Sequence, residues 1–470
     1  MIALSLAQIA HVLGGRLHTA GDDADETVVS GTVDTDSRLI GPGDIFVAKP
    51  GEETDGHLFV DAAVASGAAL AIVEREVPAS VSQIVVADAV AALADLAREV
   101  VGTVRGAGAL RIVGITGSNG KTTTKNLVAR ILEAEGETVA PRASFNNAVG
   151  APLTMLRVTE GTRYLVSEFG ASAPGEIARL AGLVEPDLGV VLMVGMAHAG
   201  GFGGIEATFA AKSELVRALR PGGTAVLNID DPRVAAMAPI AAERGVDVMW
   251  FGRGPDAQVR ADDVAVTASG TRCIVSVGGE SLPLHLQVLG EHHVMNALAA
   301  IAVAVRLGVP LAACVERLES VELAERWRMQ PLGSDRVRII NDAYNASPDS
   351  MAAALRTLAQ ITGPGERTVA VLGAMSELGE YADEEHDRVG LLAVRLGIQR
   401  IVVIGAPARR MFLEAVAQGS WDNEAIFFET TDEAFDYLVG ELRDGDRVLV
   451  KSSNSAGLRF LGDRLGESFS

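Results

Sequence analysis

Cysteine is scarce in this 470-residue chain, which contains only Cys273 and Cys314. Two cysteines are too few for a disulfide framework, and these two show no metal-ligand spacing. We therefore interpret them as structural thiols in a reducing compartment. We expect a cytoplasmic protein that does not use a thiol as its nucleophile.

Basic residues are also in the minority, because 40 Lys and Arg stand against 61 Asp and Glu, for a formal net charge of -21. The chain has no long run of basic residues. Nonspecific binding to nucleic acid or to an anionic membrane is therefore excluded as a function.

Long apolar runs are missing as well. The longest uncharged stretch, residues 188–205, contains six glycines and His198, which a membrane span would rarely combine. This stretch predicts a buried strand followed by a glycine-rich loop. The first ten residues lack the basic start of a signal peptide and predict a short amphipathic helix, so no export is expected.

What the chain does contain is apolar residues, at 48% of the sequence, which is enough for a large core and excludes disorder. The length favours about three domains. The patterns divide the chain into predicted domains 1–104, 105–322 and 323–470, with a linker at 103–108. The first is a small α/β domain, with strands predicted at 44–48 and 69–73.

The second and third regions alternate apolar strands with helices, which is typical of doubly wound parallel sheets. We predict a central P-loop ATPase-like domain and a C-terminal Rossmann-like α/β domain. The predicted strands of the central domain are 111–115, 164–169, 188–194 and 224–229, and those of the C-terminal domain are 336–340, 367–372, 400–404 and 447–450. Ligands of such sheets collect at the carboxyl ends of the strands, which predicts a reaction in the cleft between the two domains.

A phosphate-binding loop follows the first strand of the central domain. Residues 116–124 read Thr-Gly-Ser-Asn-Gly-Lys-Thr-Thr-Thr and lead into a predicted helix. Gly117 and Gly120 let backbone amides converge on phosphates, Lys121 reaches the terminal phosphates, and the Thr122 hydroxyl can bind Mg²⁺. The general form of this loop has glycine where this chain has Ile115.

That variant of the loop resembles the one in the Mur ligases, the ATP-dependent enzymes that append amino acids to the cell-wall precursor. Further segments resemble the same family across essentially the whole chain: 33–38, 42–48, 55–57, 145–154, 167–171, 197–198, 210–214, 290–297 and 341–348. Within the family, residues 341–355 most resemble the members that add the dipeptide D-alanyl-D-alanine.

The resemblance implies an ATP-dependent ligase that activates the carboxylate of UDP-N-acetylmuramoyl-tripeptide as an acyl phosphate, which the D-alanyl-D-alanine amine then attacks. It implies ATP and Mg²⁺ as cofactors, and we expect a monomer. It assigns the ATP to Gly117, Ser118, Asn119, Gly120, Lys121, Thr122, Thr123, Asn296, Arg328 and Asp342. It assigns the uridine substrate to Thr35, Ser37, Arg38, Asn146 and Asn147.

The resemblance also implies metal ligands at Thr122, Glu168, His198 and a carbamylated Lys212, with Lys121, Lys212 and His198 as catalytic residues. Residue chemistry supports Glu168 independently, because a carboxylate at the end of an apolar strand is costly unless a cation or water is near. On the residues alone other roles stay open: a capping or surface carboxylate for Glu168, a structural His198 and an exposed Lys212. Asn296 could equally be a helix-surface amide, and Ser37 and Arg38 a turn.

Two positions depart from the family pattern, Ala374 where an acidic residue is common and Asn454 where arginine is usual. Both fall in the domain expected to bind the dipeptide, so they bear on its specificity. The alternatives are a family member that adds a single amino acid, a folylpolyglutamate synthase, a P-loop switch and a binding protein without activity. The uridine-type motif argues against a folylpolyglutamate synthase, and no guanine-recognition motif supports a P-loop switch.

Overall fold

The computed structural model describes residues 1–20, 25–51, 54–142, 144–197, 199–321, 326–419 and 424–470. In these ranges the chain forms sheets of two, five, nine and six strands. The two small sheets belong to the N-terminal region, the nine-stranded sheet to the central region and the six-stranded sheet to the C-terminal region. No helix among these residues is both long and apolar enough to cross a membrane.

The N-terminal region places a mostly parallel sheet of order β2-β7-β6-β5-β4 beside the antiparallel pair β1-β3. Its strands are β1 Leu4–Ser5, β2 Arg16–His18, β3 Val28–Val29, β4 Val33–Asp34, β5 Ile45–Val47, β6 Leu70–Val73 and β7 Ser82–Val85. Its helices are α1 Leu6–Leu13, α2 Val60–Ala65 and α3 Ala89–Gly106. The predicted N-terminal helix exists but begins at Leu6, where Ser5 and Gln8 form a capping box.

The linker predicted at 103–108 is wrong, because α3 continues through these residues to Gly106. Asp88 caps the start of this helix, and its apolar stripe stays buried as far as Val104. The burial of that stripe outweighs the low helix propensity of Gly102 and Gly106. Only a few residues then separate α3 from the central sheet.

The central sheet has the order β16-β15-β14-β13-β12-β11-β8-β10-β9. Its strands are β8 Arg111–Thr116, β9 Thr138–Val139, β10 Tyr164–Glu168, β11 Leu188–Val191, β12 Thr224–Asn228, β13 Asp247–Gly252, β14 Val259–Thr267, β15 Gly270–Val277 and β16 Glu280–Leu286. Its helices are α4 Lys121–Leu132, α5 Gly150–Met155, α6 Glu176–Ala181, α7 Ala199–Phe202, α8 Ile205–Arg217, α9 Pro232–Ala235, α10 Ala238–Glu243, α11 Glu291–Arg306 and α12 Leu311–Glu319.

The parallel part of this sheet confirms the predicted strands, whose runs are buried because helices cover both faces. The antiparallel extension β14–β16 was not predicted. Its residues alternate between buried and partly exposed, a weaker signal than a continuous apolar run.

The C-terminal sheet has the order β17-β18-β22-β19-β20-β21, with only β17 antiparallel to its neighbour. Its strands are β17 Gln330–Gly333, β18 Val337–Asn341, β19 Arg367–Leu372, β20 Arg400–Ile404, β21 Ala425–Phe428 and β22 Asp446–Lys451. Its helices are α13 Pro348–Ile361, α14 Ala382–Arg395, α15 Arg409–Ala417, α16 Thr431–Glu441 and α17 Leu458–Ser468. All four predicted strands are present, whereas the edge strands β17 and β21 were not predicted.

The central and C-terminal regions meet across the carboxyl ends of their parallel strands. The Met196 amide donates to Asp349 Oδ2 at 3.1 Å, and Ser347 Oγ donates to Asn119 Oδ1 at 3.1 Å. A third contact joins the Gly200 amide to the Glu377 carbonyl at 3.0 Å. The two strand edges therefore face one another across a cleft that these contacts bridge.

Candidate active site

The cleft between the two regions has a volume of about 1000 Å³. Residues 118–123 line one wall together with Asn146 and Glu168, and Arg328, Asp342 and Lys451 line the other. The fold thus brings most of the predicted ATP and metal residues into one space.

The phosphate loop forms as predicted, between the end of β8 and the start of α4. Gly117 and Gly120 both have positive φ, at 153° and 85°. A Cβ on Gly120 would lie 2.3 Å from Asn296 Oδ1, so the loop and α11 are in close contact. No side chain caps α4, which leaves its first amides available to bind an anion.

Lys121 folds back over this loop, and its Nζ donates to the Gly117 carbonyl at 2.8 Å. Burial lowers the pKa of Lys121, while the neighbouring Glu168 carboxylate acts to raise it. The ammonium group is therefore held beside the phosphate cradle and beside the carboxylate predicted to bind metal.

Glu168 ends β10 and is 1% exposed. Asn146 Nδ2 donates to its Oε1 at 2.7 Å, but its Oε2 is buried without a hydrogen-bond partner among the described residues. An orphaned, buried carboxylate oxygen facing a phosphate loop fits a divalent cation. Thr122, whose Oγ1 lies 3.1 Å from Ser144 Oγ, supplies a hydroxyl oxygen in the same cleft.

Lys212 lies on α8 and is only 2% exposed, which excludes the solvent-exposed lysine that the sequence left open. Burial, and to a smaller extent the charge of Lys121, lowers its pKa to about 7. Lys212 is not among the residues that line the cleft. His198, the other predicted metal ligand, falls outside the described residues.

Arg328 reaches the cleft from the C-terminal region, with its guanidinium 4.3 Å from the centre of the Tyr344 ring. Its Nη2 also lies 3.5 Å from Ser144 Oγ of the central region. Asp342 accepts from the Met329 amide at 3.0 Å through Oδ1 and from Lys451 Nζ at 2.5 Å through Oδ2. Both oxygens of this predicted ATP ligand are therefore already bonded.

Asn296 is 6% exposed and lines the cleft, which excludes the alternative of a helix-surface amide. The predicted substrate residues divide into two groups. Asn146 and Asn147 line the cleft, and Asn147 Oδ1 also accepts from the Gly150 amide at 2.9 Å.

The second group, Thr35, Ser37 and Arg38, is not among the lining residues. The Arg38 side chain is 86% exposed and pairs with Asp36 at 2.6 Å, and this hydrogen bond lowers the pKa of Asp36 to about 2. The structure therefore does not bring the predicted uridine-binding turn together with the phosphate loop.

Several cleft residues were not assigned from the sequence: Ser144, His292, His293 and Asp349. The two histidines start α11, and burial lowers the pKa of both, that of His292 to about 4. Both ring nitrogens of His293 lack a hydrogen-bond partner among the described residues. The adjacent histidines two residues after Gly290 were a visible signal, but nothing in the sequence showed that His293 is buried.

Ala374 and Asn454, the two residues that depart from the family pattern, both make hydrogen bonds within the C-terminal region. The Ala374 carbonyl accepts from the Ser453 amide at 2.9 Å, and Asn454 accepts from the Arg459 guanidinium. These contacts do not test how the two residues affect dipeptide specificity, which stays a prediction.

Comparisons with protein families place three matches along the chain: the Mur ligase family, catalytic domain at residues 31–103, the Mur ligase middle domain at 115–304, and the Mur ligase, glutamate ligase domain at 327–454. The UDP-N-acetylmuramoyl-tripeptide--D-alanyl-D-alanine ligase of Mycobacterium tuberculosis is 43% identical and aligns over 99% of this chain and 98% of that protein. The chain belongs to the Mur ligase family, as the sequence motifs indicated.

Solved structures agree with this assignment. MurF from Acinetobacter baumannii matches with a TM-score of 0.89 and 32% identity, covering 99% of both chains. MurF ligase from Thermotoga maritima in complex with ADP matches with a TM-score of 0.81 and 26% identity, covering 94% of this chain and 98% of that one. The predicted three-domain α/β fold is thus confirmed, and the alternatives of a P-loop switch and a single-residue ligase are not favoured.

Proposed function

We propose that this protein is an ATP-dependent, ADP-forming ligase that adds D-alanyl-D-alanine to UDP-N-acetylmuramoyl-tripeptide in peptidoglycan precursor synthesis. The observation that carries the proposal is the shared cleft, in which Lys121 and Glu168 of the central region face Arg328 of the C-terminal region. Full-length similarity to ligases of this name supports the choice of substrates.

We assign residues 1–104 to the uridine substrate, 105–322 to ATP and 323–470 to the incoming dipeptide. The uridine site would include Thr35, Ser37 and Arg38, with Asn146 and Asn147 on the muramoyl-peptide side of the cleft. We take the protein to be a cytoplasmic monomer. The free, buried state of both cysteines fits a reducing compartment.

In the first chemical step, a carboxylate oxygen of the tripeptide attacks the terminal phosphorus of ATP, and the bond to the bridging oxygen breaks to release ADP. Positioning and charge stabilisation dominate such phosphoryl transfers. Lys121, the first amides of α4 and Arg328 place positive charge around the transferred group. Mg²⁺ held by Glu168 and Thr122 would neutralise further phosphate charge.

In the second step the dipeptide amine attacks the acyl carbon, the carbon–oxygen bond to phosphate breaks, and the amine loses a proton as the amide forms. Water competes with the amine for the acyl phosphate. Contacts that join the two regions, such as that between Met196 and Asp349, would favour the amine by limiting the access of water to the cleft.

Lys212 fits the carbamylated ligand that the family resemblance implies. Only a neutral amine reacts with CO₂, and a lysine whose burial lowers its pKa to about 7 has a large neutral fraction at neutral pH. The product carries a carboxylate-like group in place of a cation. We propose that this group is a metal ligand and that His198 binds a second metal ion.

Phosphate release from ATP and Mg²⁺ in the presence of UDP-N-acetylmuramoyl-tripeptide tests the proposed function. Turnover should require D-alanyl-D-alanine, and single amino acids such as D-alanine should not replace it. Turnover with a single amino acid and none with the dipeptide would show that the substrate assignment is wrong. No turnover with either would contradict the ligase itself.

A further inference from the structure

Arg328 lies between two residues with strained backbone. Trp327 has φ 64° and Met329 has φ 48°, in the left-handed region that residues other than glycine rarely adopt. Only five described non-glycine residues have positive φ, and two of them flank this one arginine. Such strain persists only where surrounding contacts enforce it.

Backbone contacts enforce part of this conformation. The Trp327 amide donates to Gln330 Oε1 at 2.8 Å, and the Trp327 carbonyl accepts from the Tyr344 amide at 3.1 Å. The Met329 amide donates to Asp342 Oδ1 at 3.0 Å. The turn is therefore bonded on both sides of Arg328.

The Trp327 side chain holds the remainder of this backbone conformation in place by binding Asp463 on α17. The indole Nε1 donates to Asp463 Oδ2 at 2.9 Å, and the Phe460 ring packs edge-on, with centroids 6.0 Å apart. Asp463 is itself fixed, because Arg326 Nη2 donates to the same oxygen at 2.9 Å and Asn341 Nδ2 donates to Oδ1 at 3.1 Å. The indole thus binds a preassembled acceptor at the end of β18.

Adjacent side chains of this turn lie on different sides of the C-terminal region. Arg328 lines the cleft and lies against Tyr344, whereas Trp327 and Asp463 are not among the lining residues. Trp327 therefore cannot touch ATP in this arrangement. It can act on the site only through the neighbouring arginine.

We propose that Trp327 and Asp463 form a positioning pair: the docked indole holds the strained turn, and the turn directs the Arg328 guanidinium at the phosphates of ATP. The inference rests on the proposed function, because it takes Arg328 as an ATP contact. Trp327 is therefore a positioning residue and makes no contact with substrate. Its hydrogen bond to a charged acceptor belongs to the stronger class of hydrogen bond.

A double-mutant cycle between Trp327 and Arg328 tests whether the positioning pair acts through the arginine. Trp327→Phe keeps an aromatic ring but removes the donor to Asp463, and it should raise the KM for ATP roughly tenfold, the loss expected for one hydrogen bond to a charged group. The KM for the dipeptide should stay unchanged. In the Arg328→Ala background, the same Trp327→Phe change should have no further effect on ATP. Trp250→Phe on β13 is the matched control and should leave both constants unchanged.

Each other outcome overturns the proposal. An equal loss from Trp327→Phe in both backgrounds would show a general structural role, and no loss in the parent background would show that the pair does not position Arg328. An unaltered KM for ATP in Arg328→Ala would remove the arginine from the phosphate site. If Trp327→Phe does not fold, Asp463→Ala replaces it in the same cycle, because it removes the acceptor of the indole hydrogen bond.

Titration calorimetry with ATP separates this inference from the proposed function. An intact protein without ligase turnover would contradict the function alone. The affinity for ATP would still decide whether Trp327→Phe acts through Arg328, because binding needs neither the tripeptide nor the dipeptide.

Discussion

The phosphate loop and the turn at residues 35–38 are both clear motifs in the sequence, but the fold treats them differently. Around the loop, Lys121 bonds the Gly117 carbonyl and Asn296 packs against Gly120. In the turn, Arg38 is exposed and its hydrogen bonds within the described chain go to the nearby Asp36. Packing thus fixes the residues of the first site against one another, whereas the Arg38 side chain bonds only to its neighbour Asp36 among the described residues.

This difference predicts that substitutions at the two sites have two different kinds of effect on activity. A change in the assembled cleft should stop the chemistry for every substrate. A change in the exposed turn should affect one substrate only and leave the rest of the enzyme intact.

Lys121→Ala should reduce turnover on the order of 1000-fold, because it removes the cation beside the transferred phosphoryl group. The thermal unfolding midpoint should change little, since the lysine makes a single hydrogen bond to its own loop. Phosphate release and a thermal melt measure the two effects. Retained turnover would show that the cleft is not the site of phosphoryl transfer.

Glu168→Gln should reduce turnover by roughly 100-fold to 1000-fold, because it removes the charge of the orphaned carboxylate that we assign to Mg²⁺. The Mg²⁺ concentration needed for half-maximal rate should rise. Glu137→Gln is the control, since that carboxylate accepts two threonine hydroxyls outside the cleft. An unchanged Mg²⁺ requirement in Glu168→Gln would remove this residue from the metal site.

Lys212→Ala should lose turnover roughly 100-fold, and a short-chain carboxylic acid should restore part of it by occupying the space of the carbamate. Bicarbonate should have no such effect on this variant. Lys212→Gln serves as the control, because its side chain fills the space that the acid needs. Absence of rescue, together with no carbamate signal in the ¹³C NMR spectrum of the folded parent protein in ¹³C-labelled bicarbonate, would contradict carbamylation.

Arg38→Ala should raise the KM for UDP-N-acetylmuramoyl-tripeptide roughly tenfold, as expected for one charge-assisted contact to a diphosphate. The KM for ATP and the thermal midpoint should stay the same, because exposed ion pairs add little to stability. Arg336→Ala removes a similarly exposed arginine that pairs with Asp444 in the C-terminal region. An equal effect of both variants would show that residue 38 has no special role in substrate binding.

The parts of the fold that could be predicted are those with continuous apolar strands, such as β8, β10 and β19. Edge elements carried weaker signals: β17 contains Pro331, which normally argues against a strand and is tolerated only at an edge. The predicted linker failed for a related reason, because glycines suggested flexibility where the buried stripe of α3 continues to Val104.

The site was predictable where the chemistry lies in one continuous segment, as at residues 117–123. It was not predictable where distant segments meet. Nothing near Asp342 in the sequence shows that Lys451 and the Met329 amide occupy its carboxylate. Likewise, the burial of Lys212, which decides between a solvated and a reactive amine, depends on how α8 packs against the central sheet.

The contact between Gly120 and Asn296 also constrains how this enzyme can change. A side chain at position 120 would need the space of the Asn296 amide oxygen, so this amide would have to turn away, and φ 85° would strain the new residue as well. A smaller residue at 296 would relieve the overlap but not the backbone strain at 120. The residue tolerated at position 120 therefore depends on a side chain 176 residues away in the chain.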